Sequence, residues 1–419
     1  MKKIKICHLA KTEGHFSFEG ALLRGDIATA KIITEEGARL IEGMLVGRRY
    51  LEAPIITSRI CGICPVVHNL SSVKAIEDAL DIKVDENTRK IRKLLEHAQI
   101  IHSHGLHLYF LSFPDFLKIS NTLEVIQKTP KQAGQSLLVR DFGVQIVKEF
   151  GGRTVHVISS CVGGFKTLPN KKSYEDLIKM SEDVLRATRE LIKVFAKLKY
   201  PKFERKTHYS SLTDKKEYAI YEGKMCLDKK SYSVKDYMSK IIEELDIRGE
   251  KVKRTNIKSK AYFCGSLARI NNNFDKLHPE AKKAWKKLGV DLPDYNSFHN
   301  IYAQAVELLH CVLESQKILK ELGKKPPKAN WKKPRLKAGE GYGAVEAPRG
   351  TLLDYYKLDK NGIIRDCNII TPTAQFLANL EEDLKMYLPT IKNLSDKNRE
   401  WEIKKLIRAY DPCIACATH

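Results

Sequence analysis

The chain has no run of 18 consecutive apolar residues, which excludes a membrane-spanning helix. Its start, Met1-Lys2-Lys3-Ile4-Lys5-Ile6, lacks the apolar stretch and small-residue cleavage site of a secretory signal and reads as a strand. No Gly-x-Gly-x-x-Gly fingerprint follows a strand, so a dinucleotide belongs on another chain. Internal repeats and long low-complexity linkers are also missing. Acids are scarce: 51 Asp and Glu face 73 Lys and Arg, a formal charge of +22. An acidic partner would suit that balance, but the cations are spread along the chain as on a solvated lysine-rich surface. The densest stretch, Gly323 to Lys337, holds seven cations, no acid and three prolines, and reads as an exposed loop. Its one aromatic, Trp331, is no stacking platform, so nucleic acid is not expected and a protein docking contact fits better.

What is present describes a globular protein. The 419 residues are 43% hydrophobic and 30% charged, enough for a large core without disulfide staples. Ten cysteines without a signal argue for a reducing compartment, and the expected location is the cytoplasm. Cys7, Cys161, Cys226, Cys264, Cys311 and Cys367 are scattered singly and read as small buried hydrophobes.

Alternation and short apolar runs make the first ~35 residues β-rich. Helical spacing predicts long helices over Asn87 to Phe113, stopped by Pro114, and over Ser173 to Leu198, with Ser173-Tyr174-Glu175-Asp176 as its start. It predicts two more over Phe298 to Leu322, ended by Gly323, and over Glu400 to Tyr410. Tyr200 to Phe263 reads as mixed short strands and turns, a candidate peripheral flap. The expected fold class is α+β and predominantly helical. A central bundle of long helices, a β-rich N-terminal part and the flap at 200–263 would form one domain over 1–419.

Four cysteines are not scattered. Arg59-Ile60-Cys61-Gly62-Ile63-Cys64 is followed by His68, and the chain closes on Asp411-Pro412-Cys413-Ile414-Ala415-Cys416-Ala417-Thr418-His419. Cys-x-x-Cys lets two thiolates converge on one metal from a turn or helix start. Thiolates select zinc, nickel, iron or copper(I), and spacing alone leaves a structural four-cysteine zinc level with a catalytic centre. A zinc ribbon closes over 15–20 residues. These pairs lie about 350 residues apart, so the whole fold must carry any shared site. His68 suits a hydrogen bond to a cysteine sulfur better than ligation. His97, His104 and His107 fall near one helical face and read as a buried polar seam.

These motifs together resemble the two signatures of the large, catalytic subunit of nickel–iron hydrogenases. Shorter matches extend the resemblance over most of the chain. They are Lys11-Thr12-Glu13-Gly14-His15, Arg39-Leu40-Ile41-Glu42, Gly151-Gly152-Arg153, Glu346-Ala347-Pro348-Arg349-Gly350 and Ile370-Thr371-Pro372-Thr373-Ala374-Gln375. The resemblance implies that Cys61, Cys64, Cys413 and Cys416 hold nickel. Cys64 and Cys416 would bridge to an iron carrying carbon monoxide and cyanide. It implies reversible heterolytic cleavage of H2 to protons and electrons. Cys413 would be first proton acceptor, Glu13 the onward relay and Arg349 a fixed cation over the centre. Pro348 and Thr373 would line the diatomic pocket, with Thr373 bonded to a cyanide. Glu42 and His419 would hold magnesium or iron at a second site.

The family's precursor ends beyond this His, so the chain reads as the matured form or as one made without an extension. Asp354 stands where many relatives carry His, and Phe376 where an Asn often follows the Gln. The length resembles cytosolic, bidirectional types more than membrane-anchored uptake types. With four cysteines on nickel and no others grouped, an iron–sulfur small subunit is expected as partner. Further subunits would bind NAD(P), flavin or a deazaflavin, and the cationic surface would make assembly salt-dependent. The competing reading is a zinc-organised scaffold subunit related to the quinone-chamber subunit of complex I, without hydrogen chemistry.

Overall fold

The computed structural model of the chain describes residues 2–22, 28–34, 37, 40–245 and 252–419. Arg39, quoted above with Glu42, lies outside the described residues. About half of the chain is helical and several small sheets make up most of the regular remainder.

The N-terminal part is an antiparallel sheet of β1 (Lys2–Ile6), β2 (Phe16–Leu22) and β3 (Ala28–Thr34). Two short helices, α1 (Ile41–Leu45) and α2 (Ala53–Thr57), lead into α3 (Pro65–Ala79). Four long helices follow: α4 (Glu86–Leu106), α5 (Pro130–Gly151), α6 (Lys171–Ala196) and, further on, α8 (Asn300–Gly323). Helix α4 packs on α5 and α8, and α6 packs on the same two. The apolar face of α6 shows why: Tyr174, Leu177, Val184, Leu185, Leu191 and Ile192 recur at helical spacing and are buried.

Segment 200–263 carries strands β4 (His208–Thr213), β5 (Lys224–Leu227), β6 (Lys230–Tyr232), β7 (Ile241–Leu245), β8 (Lys253–Ile257) and β9 (Tyr262–Cys264). Its Tyr209, Tyr218 and Tyr221 enter the main core, and a smaller core forms beneath it around Leu212, Met225, Tyr237 and Tyr262. Helix α7 (Ser266–Asn273) follows directly. A three-stranded antiparallel sheet, β10 (Gly339–Ala347), β11 (Gly350–Leu358) and β12 (Ile364–Ile370), precedes α9 (Pro372–Tyr387), α10 (Asp396–Ala409) and the short α11 (Ile414–Ala417).

Several boundaries differ from the periodicity. Helix α4 does not run to Pro114: it passes into a π-helical stretch, His107–Ser112, and Pro114 opens a new short helix, Phe113–Leu117. Proline is tolerated in a first helical turn, where its missing N–H is needed by nothing. The hydroxyl of Ser112 donates to Leu108 O at 3.0 Å in the widened turn. Helix α6 is capped by Asn170, whose side chain accepts from Ser173 N, while the Ser173 hydroxyl turns to Glu149. Helix α10 starts at Asp396, four residues early, because Ser395 caps it.

One packing contact sets the position of the site. Gly339, Gly341 and Gly343 occupy alternate positions of β10, on one face. A Cβ on each would lie 2.2 Å from Ala79 O, 2.1 Å from Ala75 O and 2.4 Å from Ser71 O, all backbone atoms of α3. Two strand residues rise about 6.7 Å and four helix residues about 6 Å, so glycine at every second strand position meets every fourth helix residue. Strand and helix therefore touch backbone to backbone and run in opposite directions. The far end of β10 reaches Ala347-Pro348-Arg349 just where α3 begins at Cys64.

Candidate metal centre

Cys64 is the N-cap of α3 and Cys413 the N-cap of α11. A helix start favours a thiolate, because its free N–H groups and dipole face negative charge. The turn before α3 is held by Gln99, which accepts from Val66 N at 3.0 Å and donates to Ile63 O at 2.6 Å. Before α11, Asp411 takes a left-handed conformation with φ of 51° and Pro412 stops α10. The backbone N–H of Cys413 donates to Thr373 Oγ1 at 3.0 Å, tying the turn to the first turn of α9.

The two pairs meet. Cys61 Sγ lies 3.7 Å from Cys413 Sγ, Cys64 Sγ 3.4 Å from Cys416 Sγ, and Cys413 Sγ 2.9 Å from Cys416 Sγ. An ion about 2.3 Å from each sulfur needs neighbouring sulfurs roughly 3.3–3.8 Å apart, whether planar or tetrahedral. Two of these separations already fit, and the third must open by several tenths of an ångström. All four cysteines are buried. Four crowded thiols cannot all ionise. Cys61, hydrogen-bonded first by Cys413, is held well below the ordinary thiol range, while Cys64, Cys413 and Cys416 are pushed up. Cys61 also accepts the backbone N–H of Ile63 at 3.3 Å.

Around the sulfurs, His68, Ala347, Pro348, Arg349, Leu352, Pro372 and Thr373 line a small cavity, apolar but for His68, Arg349 and Thr373. Burial works against the charge of Arg349, yet Asp411 and then Cys413 hold it well above its ordinary value. Its Nε donates to Asp411 O at 2.7 Å and its Nη2 lies 3.1 Å from Asp411 Oδ1. Its Nη1 is buried and finds no partner among the described residues, a donor left over beside the cavity. The Thr373 hydroxyl accepts from Cys413 and retains one proton to donate. His68 Nε2 stands 3.6 Å from Cys416 Sγ.

Glu13 reaches the same place by backbone pairing: it forms a parallel bridge with Cys413, and its carbonyl accepts from Ile414 N at 2.8 Å. The loop is pinned by Arg408, which donates to Ala10 O, and by Lys11, which donates to Ile119 O at 3.0 Å.

Beyond Cys416 the chain ends in a second cluster. His419 Nε2 lies 2.9 Å from Ile369 O and 3.9 Å from Glu42 Oε1. Its Nδ1 faces Cys416 O at 2.6 Å, the outer contact that fixes a ligating imidazole. One carboxylate, one carbonyl oxygen and one ring nitrogen thus converge, a donor set that fits a hard divalent cation completed by water. Lys253 flanks it, 3.5 Å from Glu42 Oε2.

The structure places Pro348, Arg349 and Thr373 around the cysteine sulfurs, the backbone of Glu13 beside Cys413, and Glu42 beside His419. Asp354 is buried on β11 and burial pushes its carboxyl well up. Sequence reasoning missed Gln99 and the buried pair Arg269 and Glu307, and it gave Glu346 only as part of a motif. Arg269 pairs with both acids at 2.6 and 2.8 Å and donates to Pro348 O at 3.0 Å, so it holds the arm carrying Arg349. The Glu346-Ala347-Pro348-Arg349 motif was the only signal of that network.

Comparison with known proteins agrees with this geometry. A family model described as nickel-dependent hydrogenase matches residues 39–141 and 203–419. The alpha subunit of sulfhydrogenase 2 from Pyrococcus furiosus is 29% identical, over 99% of this chain and 98% of its own. One chain of the F420-non-reducing hydrogenase of Methanothermobacter marburgensis is 30% identical, over 100% of this chain and 95% of its own. Among solved structures, an NAD+-reducing NiFe-hydrogenase in the H2-reduced state superposes with a TM-score of 0.89 at 25% identity, all of both chains being covered. The NiFeSe-hydrogenase of Dm. baculatum gives 0.80 at 24% identity and shares the fold. These relatives lend no support to the scaffold alternative.

Proposed function

The chain belongs to the nickel-dependent hydrogenase family, and we propose in detail how its own residues serve that chemistry. It is the catalytic subunit of an oxidoreductase acting on H2. Cys61, Cys64, Cys413 and Cys416 would hold nickel, and Cys64 and Cys416 would also serve as ligands of an iron with carbon monoxide and cyanide. The observation that carries this reading is the meeting of four buried sulfurs drawn from both ends of the chain. When bound, such a centre supplies redox-active, electrophilic metal at which H2 separates into protons and electrons.

The protein does the rest. Cys413 Sγ takes the proton, and Glu13, paired to it by backbone, passes it on. Arg349, charged and fixed by Asp411, steadies negative charge above the centre, and its spare Nη1 has a donor to offer. Pro348 and Leu352 keep water out of the cavity, and the Thr373 hydroxyl would offer its proton to a cyanide there. Glu42, Ile369 O and His419 would hold magnesium or iron and with it tie down the C-terminal turn beside Cys416.

Electrons leave through an iron–sulfur small subunit, because the other six cysteines are dispersed. Leu51 and Ile55 on one segment and Val155 and Ile158 on another are exposed, the two segments are joined by a His156 Nδ1–Ser58 O bond of 2.8 Å, and they offer it an apolar surface. Further chains carrying NAD(P), flavin or a deazaflavin complete the circuit. Ten free thiols suit the cytoplasm, and no helix among the described residues is long and apolar enough to cross a membrane. The test is H2-dependent reduction of a viologen dye by the anaerobically purified complex, with Cys64→Ser alongside. Activity that vanishes with nickel in the variant supports the reading. Activity that persists in a nickel-free variant overturns it.

A further inference from the structure

The basic stretch that joins α8 to β10 takes no part in the metal centre. Residues 324–338 form no helix or strand, and side chains hold the segment in place. Asn330 Nδ2 donates to Thr88 Oγ1 at 3.1 Å and to Asp85, and the Trp331 Nε1–H donates to Val162 O at 3.0 Å. Glycines let it lie close. A Cβ on Gly164 would sit 2.5 Å from Asn330 Oδ1, and one on Gly163 would sit 3.4 Å from Lys332 O. A Cβ on Gly362 would meet both Tyr50 Cδ1 at 2.8 Å and Leu336 Cδ2 at 3.1 Å. The stretch is therefore a strap. It crosses from the end of α8, over residues 162–164, to Tyr50 at the head of the segment carrying Leu51 and Ile55.

The anchors are Asn330, Trp331 and Leu336, which leaves the cations facing outward. All seven are exposed. Lys337 pairs with Asp81, but Lys324, Lys325, Lys328, Lys332, Lys333 and Arg335 make no ion pair among the described residues. The stretch beneath, Gly151 to Asn170, adds exposed Arg153 and Lys166 and again no acid. At the chain's frequency of 51 acids in 419 residues, these 35 residues would hold about four. Elsewhere lysines interleave with acids, as in the pairs Lys193–Glu190, Lys385–Glu382 and Lys404–Glu400. Acids bordering the strap are already engaged: Asp85 caps α4 and Glu77 pairs with Arg92 at 2.7 Å. With a screening length of about 10 Å at 0.1 M salt, cations this close in sequence repel one another, and an acidic partner relieves that.

We propose that the strap Gly323 to Lys337 is a docking track for an acidic segment of the iron–sulfur chain. This rests on the hydrogenase reading above, which supplies that chain. Gly62, next to Cys61, is exposed, so the centre lies just beneath the surface formed by the segments that His156 and Ser58 tie together. The strap borders that surface, and the chain that collects electrons there reaches the strap as it seats. Val155, Ile158 and Trp331 are each more than a third exposed inside the cationic border. An apolar middle within a charged rim suits a protein. Nucleic acid fits worse: the Trp331 indole is tied inward, and Phe165, the other ring of these stretches, is buried. Because the strap is already anchored, binding need not order it. Rim charges of this kind act on the rate and salt dependence of docking.

Carbodiimide coupling of the native complex tests this, since it joins a lysine amine to a carboxylate only where the two touch. Peptides linking Lys328, Lys332 or Lys333 to Asp or Glu of the iron–sulfur chain are expected. The triple change Lys328→Glu, Lys332→Glu and Lys333→Glu should raise the dissociation constant of the complex by about tenfold or more at about 50 mM salt. The gap should close at about 500 mM. Dissociation is followed by mass photometry on dilution, with nickel content and thermal midpoint unchanged. Lys283→Glu, Lys286→Glu and Lys287→Glu, exposed beside Arg189, alter the net charge equally and should shift the constant by less than about twofold. A strap coupled to no carboxylate of that chain, or a triple variant that dissociates no more readily than this control, would overturn the proposal. So would coupling of the strap only to another chain, or nucleic acid bound along it. An unmutated complex without nickel or diatomic bands would instead sink the hydrogenase reading, a separate and visible failure.

Discussion

Gly341→Ala should do more damage than the addition of one methyl suggests. The new Cβ would lie 2.1 Å from Ala75 O, 2.2 Å from Ala79 N and 2.8 Å from Ala79 Cα, all backbone of α3. Side-chain rotation cannot relieve a contact with helix backbone, so β10 and α3 must separate by roughly 1 Å. Overpacking of this kind costs about 1–3 kcal/mol, and the upper part of that range applies where neither partner can yield. At about 2–4 °C per kcal/mol for domains of 150–250 residues, and less for a longer chain, the thermal midpoint should fall by roughly 2–6 °C. The site should suffer too, since α3 starts at Cys64 and β10 ends at Ala347, beside the sulfurs. Nickel per chain should drop along with stability. Gly134→Ala is the control: it lies in α5 with nothing within 4 Å of its Cβ, and should be neutral or stabilising by about 0.5–1 kcal/mol. Differential scanning calorimetry and metal analysis of both variants decide the matter. A Gly341→Ala protein with unchanged midpoint and full nickel would refute the claim that this contact sets the site.

Other outcomes follow from the same geometry. Thr373→Val strips Cys413 N of its acceptor inside the core, which should cost about 1–3 kcal/mol and lower nickel retention during dialysis; full retention would contradict the assigned role. Burial lowers His97 and His310 to about 3 from 6.5. Between those values the unfolded chain binds more protons, so stability falls as pH drops, by up to about 1.4 kcal/mol per pH unit for each ring. His97→Leu should flatten that acid limb in midpoints measured from pH 6.5 to 4, and an unaltered limb would refute the assignment. Magnesium should raise the thermal midpoint of chelator-treated protein, and Glu42→Gln should remove the effect. A midpoint indifferent to chelator would argue against a cation at Glu42 and His419.

The site was legible in the sequence to the extent that its chemistry is local. Each Cys-x-x-Cys pair is read from adjacent residues, and so are Glu13, Arg349 and Thr373 within their short motifs. Spacing alone cannot say that Cys61 faces Cys413 while Cys64 faces Cys416, because that pairing depends on tertiary ties of the C-terminal turn to Thr373 and to the Glu13 backbone. The alternate glycines at 339, 341 and 343 carried the contact of β10 with α3, but a glycine pattern has no meaning until the helix it touches is known. Long amphipathic helices such as α6 were legible for the usual reason, one apolar face. Helix α3 was not, since nearly all its residues are buried and its pattern has no polar face to mark a period. Glu307 and Arg269 were hidden for a similar reason. A single charge on a helix reads as solvated, and only their mutual pairing makes burial tolerable. Pro114 misled the boundary of α4 because proline ends one helix and opens the next equally well.

What the four cysteines hold decides what the protein does. The most direct measurement is elemental analysis with infrared spectroscopy on the complex purified without oxygen from its native host. Nickel and iron near one each at the centre, with sharp carbon monoxide and cyanide stretches that Cys64→Ser removes, is the expected result. Zinc alone, with no such stretches in the intact complex, would contradict it and leave a structural four-thiolate site.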